Sequence, residues 1–335
     1  MKLISFINNG KTCAGIISGE LVFEIYLYHT GMPGTMTELL THWDENYPLL
    51  LQYSEEIENS KKWKGRSVSI TEIEFLAPLP FPNSLRDGYA FRQHVETARR
   101  NRGLEMIPVF DAFPVFYFGN HRTVYGPGAV FCMPDHFKKL DFELEAAVVI
   151  SKKGKNIPVE NADEYIAGLM ILNDFSARTL QMDEMLLNLG PAKGKDFATT
   201  TGPWLVTTEE LTSREVPCKK NHRGKSWNLK MTASVNGKSV SSGNLADMEW
   251  TFAELIARAS YGAELFPGDI IGSGTVGTGC FLELNGTGKL NNKEYTEQWL
   301  QPGDSVELEI ERLGTLRNNI VKEPTDYSIL QLKKV

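Results

Sequence analysis

The stretch Asp141-Phe142-Glu143-Leu144-Glu145 alternates acid with apolar residue, then runs unbroken into Ala146-Ala147-Val148-Val149-Ile150. Side chains two apart share one face of a strand, so the three acids point one way and Phe142 and Leu144 the other. Charge alternation by itself most often marks a solvated face. The continuation carries no polar residue, which predicts that its second half lies in a sheet covered on both sides. Carboxylates carried into such a region repel one another and hold their protons unless a cation neutralises them. A wet acidic surface and a divalent-metal site are therefore the two readings of this strand.

Asp174 poses the same choice. It follows the apolar run Met170-Ile171-Leu172 in Asn173-Asp174-Phe175-Ser176-Ala177-Arg178. An acid at a strand end is a helix N-cap or a ligand, and propensity favours the cap. Oxygen ligands of this kind suit Mg2+ or Ca2+, and no Cys or His cluster has zinc-like spacing.

The rest of the chain is mostly β in pattern. Leu3–Ile7, Thr12–Ile17 and Leu21–Ile25 are short apolar runs separated by the turn-like Asn8-Asn9-Gly10-Lys11 and Ser18-Gly19-Glu20. A helix is expected near Met36–Trp43, then a polar stretch through Lys64. The alternate prolines of Ala77-Pro78-Leu79-Pro80-Phe81-Pro82-Asn83 fit neither a helix nor a central strand. They place a boundary near residue 78, between a small domain at 1–78 and a larger one at 79–335. Beyond it, Asp141–Ile150, Trp204–Val206, Asn228–Val235, Asp269–Ser273, Phe281–Leu284 and Ser305–Ile310 read as strands. Ala162–Leu169, after the cap Asn161, and Thr251–Ala259 read as helices. Many strands with few helices define a β-rich α+β fold, a sandwich or roll rather than a doubly wound sheet.

Composition excludes some partners. A formal net charge of -7 argues against nucleic acid and against a polybasic membrane contact. The early apolar run is too short for a signal peptide, and nothing approaches the about eighteen apolar residues of a membrane span. Cys13, Cys132, Cys218 and Cys280 lie far apart, as buried, reduced thiols of a cytoplasmic protein do. Gly272-Ser273-Gly274-Thr275-Val276-Gly277 fits a dinucleotide fingerprint, but that motif must open a helix after a strand. The segment Thr278–Leu284 reads as a further strand instead, so these glycines are expected to let backbone approach a site closely, with Thr275 offering a hydroxyl. His29, His42, His121, His136 and His222 form no pattern. No Ser or Cys has the setting of a covalent nucleophile.

Five segments in order resemble the fumarylacetoacetate hydrolase family, over roughly residues 80 to 320. They are Asp87 with His94 seven residues on; Glu143-Leu144-Glu145; Asn173-Asp174-Phe175-Ser176-Ala177-Arg178 with Gln181; Gly194-Lys195-Asp196-Phe197-Ala198-Thr199-Thr200; and Gly272-Ser273-Gly274-Thr275 followed by Glu283. The resemblance implies Asp87, Glu143, Glu145 and Asp174 as metal ligands, with Lys195 and Thr199 also lining the metal site. It implies His94 and Glu283 as a general-base pair. Gln181, Lys195 and Thr275 match groups that hold substrate and stabilise an oxyanion, and Tyr117 matches a substrate-contacting tyrosine. After Tyr117 the pattern departs from the animal enzymes, which continue with His and Arg. The family's substrate arginine has no clean counterpart: Arg99, Arg100 and Arg102 are candidates, with Arg99 taken first.

The fold implied is a mixed β-sandwich roll behind a small N-terminal β domain, in a homodimer. The activity implied is metal-dependent hydrolysis of a carbon–carbon bond in a 1,3-diketo acid, with Mg2+ or Ca2+ as cofactor. Fumarylacetoacetate going to fumarate and acetoacetate, in tyrosine or aromatic catabolism, is the first substrate. An acylpyruvate hydrolase, or a 2-oxo acid decarboxylase or hydratase, is the alternative on the same platform, and a non-catalytic binding protein is the third reading. Taken singly the residues say less. An isolated His94 reads as a satisfied histidine, Lys195 as a loop lysine and Glu283 as a strand acid.

Overall fold

Val148 and its neighbours are buried on both faces, as the unbroken apolar run requires. A computed structural model describes residues 1–28, 31–59 and 67–334. His29 and the end of the polar stretch through Lys64 lie outside the described residues. In the strand Leu144–Ile150, Leu144, Ala146, Val148 and Ile150 enter one core, while Ala147 and Val149 enter a second. Full burial of such Val, Leu or Ile side chains contributes roughly 1.5–3 kcal/mol each.

This strand is central in a twelve-stranded mixed sheet, between Ile166–Asp174 and Ile270–Gly272. Outward on one side come Thr199–Thr207, then Lys2–Asn8, Lys11–Ser18 and Leu21–Glu24; on the other come Leu85–Gly88 and Phe116–Gly119. The strand Lys2–Asn8 of the N-terminal β domain is hydrogen-bonded to Thr199–Thr207, so one sheet continues from the small unit into the large one. A five-stranded sheet, ordered Lys238–Asn244, Lys230–Val235, Ser305–Ile310, Gly314–Lys322 and Gly128–Cys132, covers one face. Met231, Ala233, Val306, Leu308, Leu316 and Ile320 share its core with the central strand. The opposite face is covered from the N-terminal segment, where Trp43, Leu50, Tyr53 and Ile57 pack on Ala147, Val149 and Leu172.

Several sequence expectations are corrected. The polar stretch after Met36–Thr41 is a helix, Trp43–Asn59, whose buried Trp43, Asn46, Leu50, Tyr53 and Ile57 recur at helical spacing among charged residues. Ala162–Leu169 is not a helix capped by Asn161: a 3-10 turn at Val159–Tyr165 leads into the strand Ile166–Asp174. A Cβ at Gly168 would lie 2.4 Å from the Val206 carbonyl oxygen, a closeness that suits strand pairing. Asp141–Ile150 is not continuous. Leu140–Asp141 and Leu144–Ile150 are separate strands, and between them Glu143 N–H donates to the Asn173 side chain at 3.0 Å.

Phe281–Leu284 is not a strand but the start of the helix Phe281–Asn291. The Phe281 and Leu282 N–H groups donate to the Asp141 carboxylate at 2.7 and 2.9 Å. The cap thus comes from far away in the chain, where local sequence gives no sign of it. The helix also means that Gly272–Gly277 is followed by one, although not directly. The helix expected at Thr251–Ala259 forms as Phe252–Ser260, with Thr251 and Glu254 in a capping box. No helix among the described residues is long and apolar enough to cross a membrane. The four cysteines are free thiols, three buried and Cys218 half-buried.

Candidate metal and catalytic site

Asp87 lies in the strand Leu85–Gly88, in register with Gly272 on one side and Tyr117 on the other. Glu145 lies in the adjoining central strand, Glu143 in the break before it, and Asp174 at the end of the next strand. All four acids are buried. A Cβ at Gly272 would stand 2.3 Å from Asp87 Oδ1 and 3.3 Å from Glu145 Oε2, so only glycine lets these two acids stand side by side. Gly274, at φ +77°, turns its N–H onto Asp87 Oδ1 at 3.1 Å. Thr275 donates its hydroxyl to Glu145 Oε1 at 3.2 Å.

Oxygens of Asp87, Glu143 and Glu145 lie within 4.8 Å of one another, a grouping that could hold a metal ion. Asp174 stands beside it. Its Oδ2 accepts from Lys195 Nζ at 2.5 Å and from the Tyr117 hydroxyl. Lys195 also binds Glu143. Asp174 Oδ1 and Glu145 Oε2 are buried without any hydrogen-bond partner. Thr199 is buried opposite Asp174 in strand register, with its backbone N–H on the Thr123 carbonyl.

Charge within this cluster is unbalanced. Burial pushes Asp87 up to about 7, with the Asp174 charge adding to it and a hydrogen bond from Glu145 opposing. Burial, then the Asp87 charge, holds Glu145 well above its ordinary range. Asp174 is raised by burial although Lys195 opposes it. Glu143 is the exception: burial works against its ionisation, but the Lys195 ammonium and Arg178 guanidinium outweigh it and hold it at about 2. Left to itself, the cluster keeps protons because its cations are too few. Two orphaned carboxylate oxygens and retained protons are what an oxygen-ligated divalent cation would correct, so the residues fit such an ion.

His94 projects from the helix Arg92–Arg100, and its Nδ1 lies 2.8 Å from Glu283 Oε2. Both are buried. Glu283 sits in the first turn of its helix, where the dipole favours an acid. Its Oε1 accepts the Thr278 N–H at 2.9 Å, and Thr278 holds φ +69°, a conformation uncommon for a β-branched residue. The two helices approach closely. A Cβ at Gly286 would clash with Asn101 at 2.5 Å, and Asn101 Nδ2 donates to the Glu283 carbonyl at 3.0 Å.

Arg178 has no role assigned by sequence, yet it ties the site together. It is buried and donates to Asp141 Oδ2 at 2.8 Å, Glu143 Oε1 at 2.7 Å and Gln181 Oε1 at 2.9 Å. The signal was present: an arginine four residues after Asp174, amid acids that need counter-charge. Asp141, the first acid of the alternating strand, joins no metal grouping among the described residues; it binds Arg178 and caps the Glu283 helix.

Asp87, His94, Glu143, Gln181, Lys195 and Thr275 line one cavity of about 610 Å³. Tyr117 lines it as well. Arg99 does not: its Nε donates to the Glu105 carbonyl, while Arg102, three residues on, faces the cavity.

Fold and site together define a β-rich scaffold that gathers buried carboxylates able to hold a cation beside a histidine–glutamate pair. Residues 84–321 match the family model described as fumarylacetoacetate (FAA) hydrolase C-terminal, and the chain belongs to the fumarylacetoacetate hydrolase family. It is 34% identical over 218 residues to the fumarylacetoacetase of Oryza sativa subsp. japonica, a match covering 57% of this chain and 48% of that protein. The match thus spans about half the length of the plant relative. Among solved structures, the fumarylacetoacetate hydrolase of psychrophilic Exiguobacterium antarcticum superposes with a TM-score of 0.69 at 21% identity, covering 96% of this chain and 100% of that one. The 2-hydroxyhepta-2,4-diene-1,7-dioate isomerase of Mycobacterium marinum does so with a TM-score of 0.65 at 21% identity, covering 97% and 100%. At these identities the structural likeness speaks for the fold alone. Family members are enzymes, hydrolases and isomerases among them.

Proposed function

We propose that this chain hydrolyses the carbon–carbon bond of a 1,3-diketo acid, with fumarylacetoacetate, cleaved to fumarate and acetoacetate in tyrosine or aromatic catabolism, as the first substrate. The observation that carries this reading is the buried His94–Glu283 pair, 2.8 Å apart, with His94 lining the same cavity as Asp87 and Glu143. A hard divalent cation, Mg2+ or Ca2+, held by Asp87, Glu143, Glu145 and Asp174, supplies Lewis-acid polarisation of the diketone oxygens when bound.

The chain's own groups do the rest. Glu283 accepts a hydrogen bond from Nδ1–H of His94, which leaves Nε2 free to take a proton from water. The hydroxide attacks the carbonyl, and Lys195 and Gln181 donate to the alkoxide that forms. Collapse breaks the carbon–carbon bond, and the imidazolium returns its proton to the enolate carbon that leaves. Tyr117 and Thr275 contact the substrate, and Arg102 takes its carboxylate in place of Arg99. Lys195 also offsets part of the negative charge of four carboxylates. Thr199 supports the metal site from beside Asp174. We place the enzyme in the cytoplasm as a homodimer.

A 2-oxo acid decarboxylase or hydratase on the same platform is the second reading, since the grouping of Asp87, Glu143 and Glu145 would serve it equally. The paired imidazole and carboxylate favour hydrolysis, because decarboxylation needs no water-activating base. Assaying fumarylacetoacetate, an acylpyruvate and oxaloacetate with Mg2+ and with Ca2+ separates the readings. Cleavage of the diketo acid is expected to be fastest; turnover of oxaloacetate alone would replace the hydrolase with the lyase.

A further inference from the structure

Cys280 precedes the Glu283 helix, fully buried, and the hydrolytic scheme gives it no task. Its thiol sulfur, a ring nitrogen of His94 and a carboxylate oxygen of Glu143 all lie within 4.8 Å of one another. The grouping is distinct in chemistry from the all-oxygen one at Asp87, Glu143 and Glu145. Sulfur, nitrogen and one carboxylate, with a fourth position open to the cavity, make the donor set of a tetrahedral Zn2+ site. Ligand atoms around zinc stand about 3.3–3.8 Å apart, given bonds of about 2.0–2.3 Å, so closing the set requires shifts of about an ångström. His94 sits on one helix, Cys280 immediately before another, and Glu143 in the break before the central strand.

We infer that His94, Glu143 and Cys280 form a second cation site, selective for thiophilic ions such as Zn2+ and Cd2+, whose occupation blocks water activation. Selectivity follows from the sulfur. Soft cations displace the proton of a thiol on ligation, and Mg2+ and Ca2+ do not. Blocking follows from His94. Glu283 already engages Nδ1, so a bound ion takes the other nitrogen, the one that would accept a proton from water. Zinc then shuts off the base while the hard cation's remaining ligands stay in place.

The site rests on geometry; only its inhibitory consequence rests on the proposed hydrolysis. The test uses full-length protein carrying Cys218→Ser, which removes the one half-buried thiol, in excess Mg2+. Cd2+ is titrated while the ultraviolet thiolate-to-cadmium charge-transfer band is followed, and Zn2+ is titrated against diketone cleavage. One equivalent of Cd2+ is expected to develop the band, and adding Cys280→Ser is expected to abolish it. The Zn2+ concentration for half-inhibition should rise by about tenfold or more in that variant, with the uninhibited rate unchanged. A band of equal size without Cys280, or equal zinc sensitivity, overturns the inference. Because the band needs no turnover, a band with no diketone cleavage supports the site and counts against the hydrolase reading alone.

Discussion

Nδ1 of His94 and Oε2 of Glu283 stand 2.8 Å apart across two helices that are far separated in sequence. The pair exists only because the segment after Gly272–Gly277 folds as a helix with its acid in the first turn. His94→Ala is expected to lower the hydrolytic rate by roughly 10²–10⁴-fold, the usual contribution of a general base. Glu283→Gln should lower kcat more than it changes KM, because the amide no longer fixes the imidazole tautomer. Calorimetric titration of metal should be little changed in both. Normal turnover by either variant would remove the dyad from the mechanism.

Metal binding has a test that deletes no ligand. Gly272→Ala puts a Cβ within 2.3 Å of Asp87 Oδ1, so it should separate Asp87 from Glu145 and weaken calorimetric Mg2+ affinity. Glu143→Ala should weaken it too, by removing an oxygen from the grouping. Unchanged affinity in both would show that the ion does not sit among these acids.

The protons held by the cluster give a pH dependence with a definite sign. Asp87 rises from an ordinary 3.8 to about 7 in the folded chain. Between those values the folded, metal-free protein binds more protons than the unfolded chain, so this group's contribution to stability is present below pH 4 or so and is lost as the pH rises through about 7. Cation binding expels the same protons and removes the penalty. The rise in melting temperature produced by saturating Mg2+ should therefore be larger at about pH 8 than at about pH 5. An equal or larger rise at the lower pH would contradict the shared-proton picture.

Asp141 links two parts of the site without touching a metal. Its carboxylate binds Arg178 and accepts both N–H groups that open the Glu283 helix. Asp141→Ala should cost about 3–5 kcal/mol in urea unfolding, since a fully buried partner of a buried guanidinium is lost. Activity should fall along with stability, because the cap that seats Glu283 goes too. Wild-type stability would show that Arg178 is satisfied by Glu143 and Gln181 alone.

Much of this was legible wherever the cause was local. The unbroken run Ala146–Ile150 announced a strand buried on both faces, and the apolar spacing over Thr251–Ala259 announced a helix. Spacing two also grouped Glu143 with Glu145, though the chain breaks between Asp141 and Leu144 and gives Asp141 another task. What escaped depended on distant partners. Phe281–Leu284 looked like a strand because its cap is Asp141, and its glycines, Gly286 and Gly288, lower helical propensity. Gly286 is there because Asn101 lies against it. The helix Trp43–Asn59 was hidden by its charged outer face. That Arg102 rather than Arg99 lines the cavity depends on where the helix Arg92–Arg100 ends, which sequence order does not give.

The central claim is that water cleaves the diketo acid at a site built from His94, Glu283 and the four carboxylates. Incubating the Mg2+-loaded protein with fumarylacetoacetate in heavy-oxygen water and analysing the products by mass spectrometry tests it most directly. The expected result is fumarate and acetoacetate, with one heavy oxygen in the newly formed carboxylate and none without protein. An isomerised or decarboxylated product free of label, or intact substrate, would contradict it.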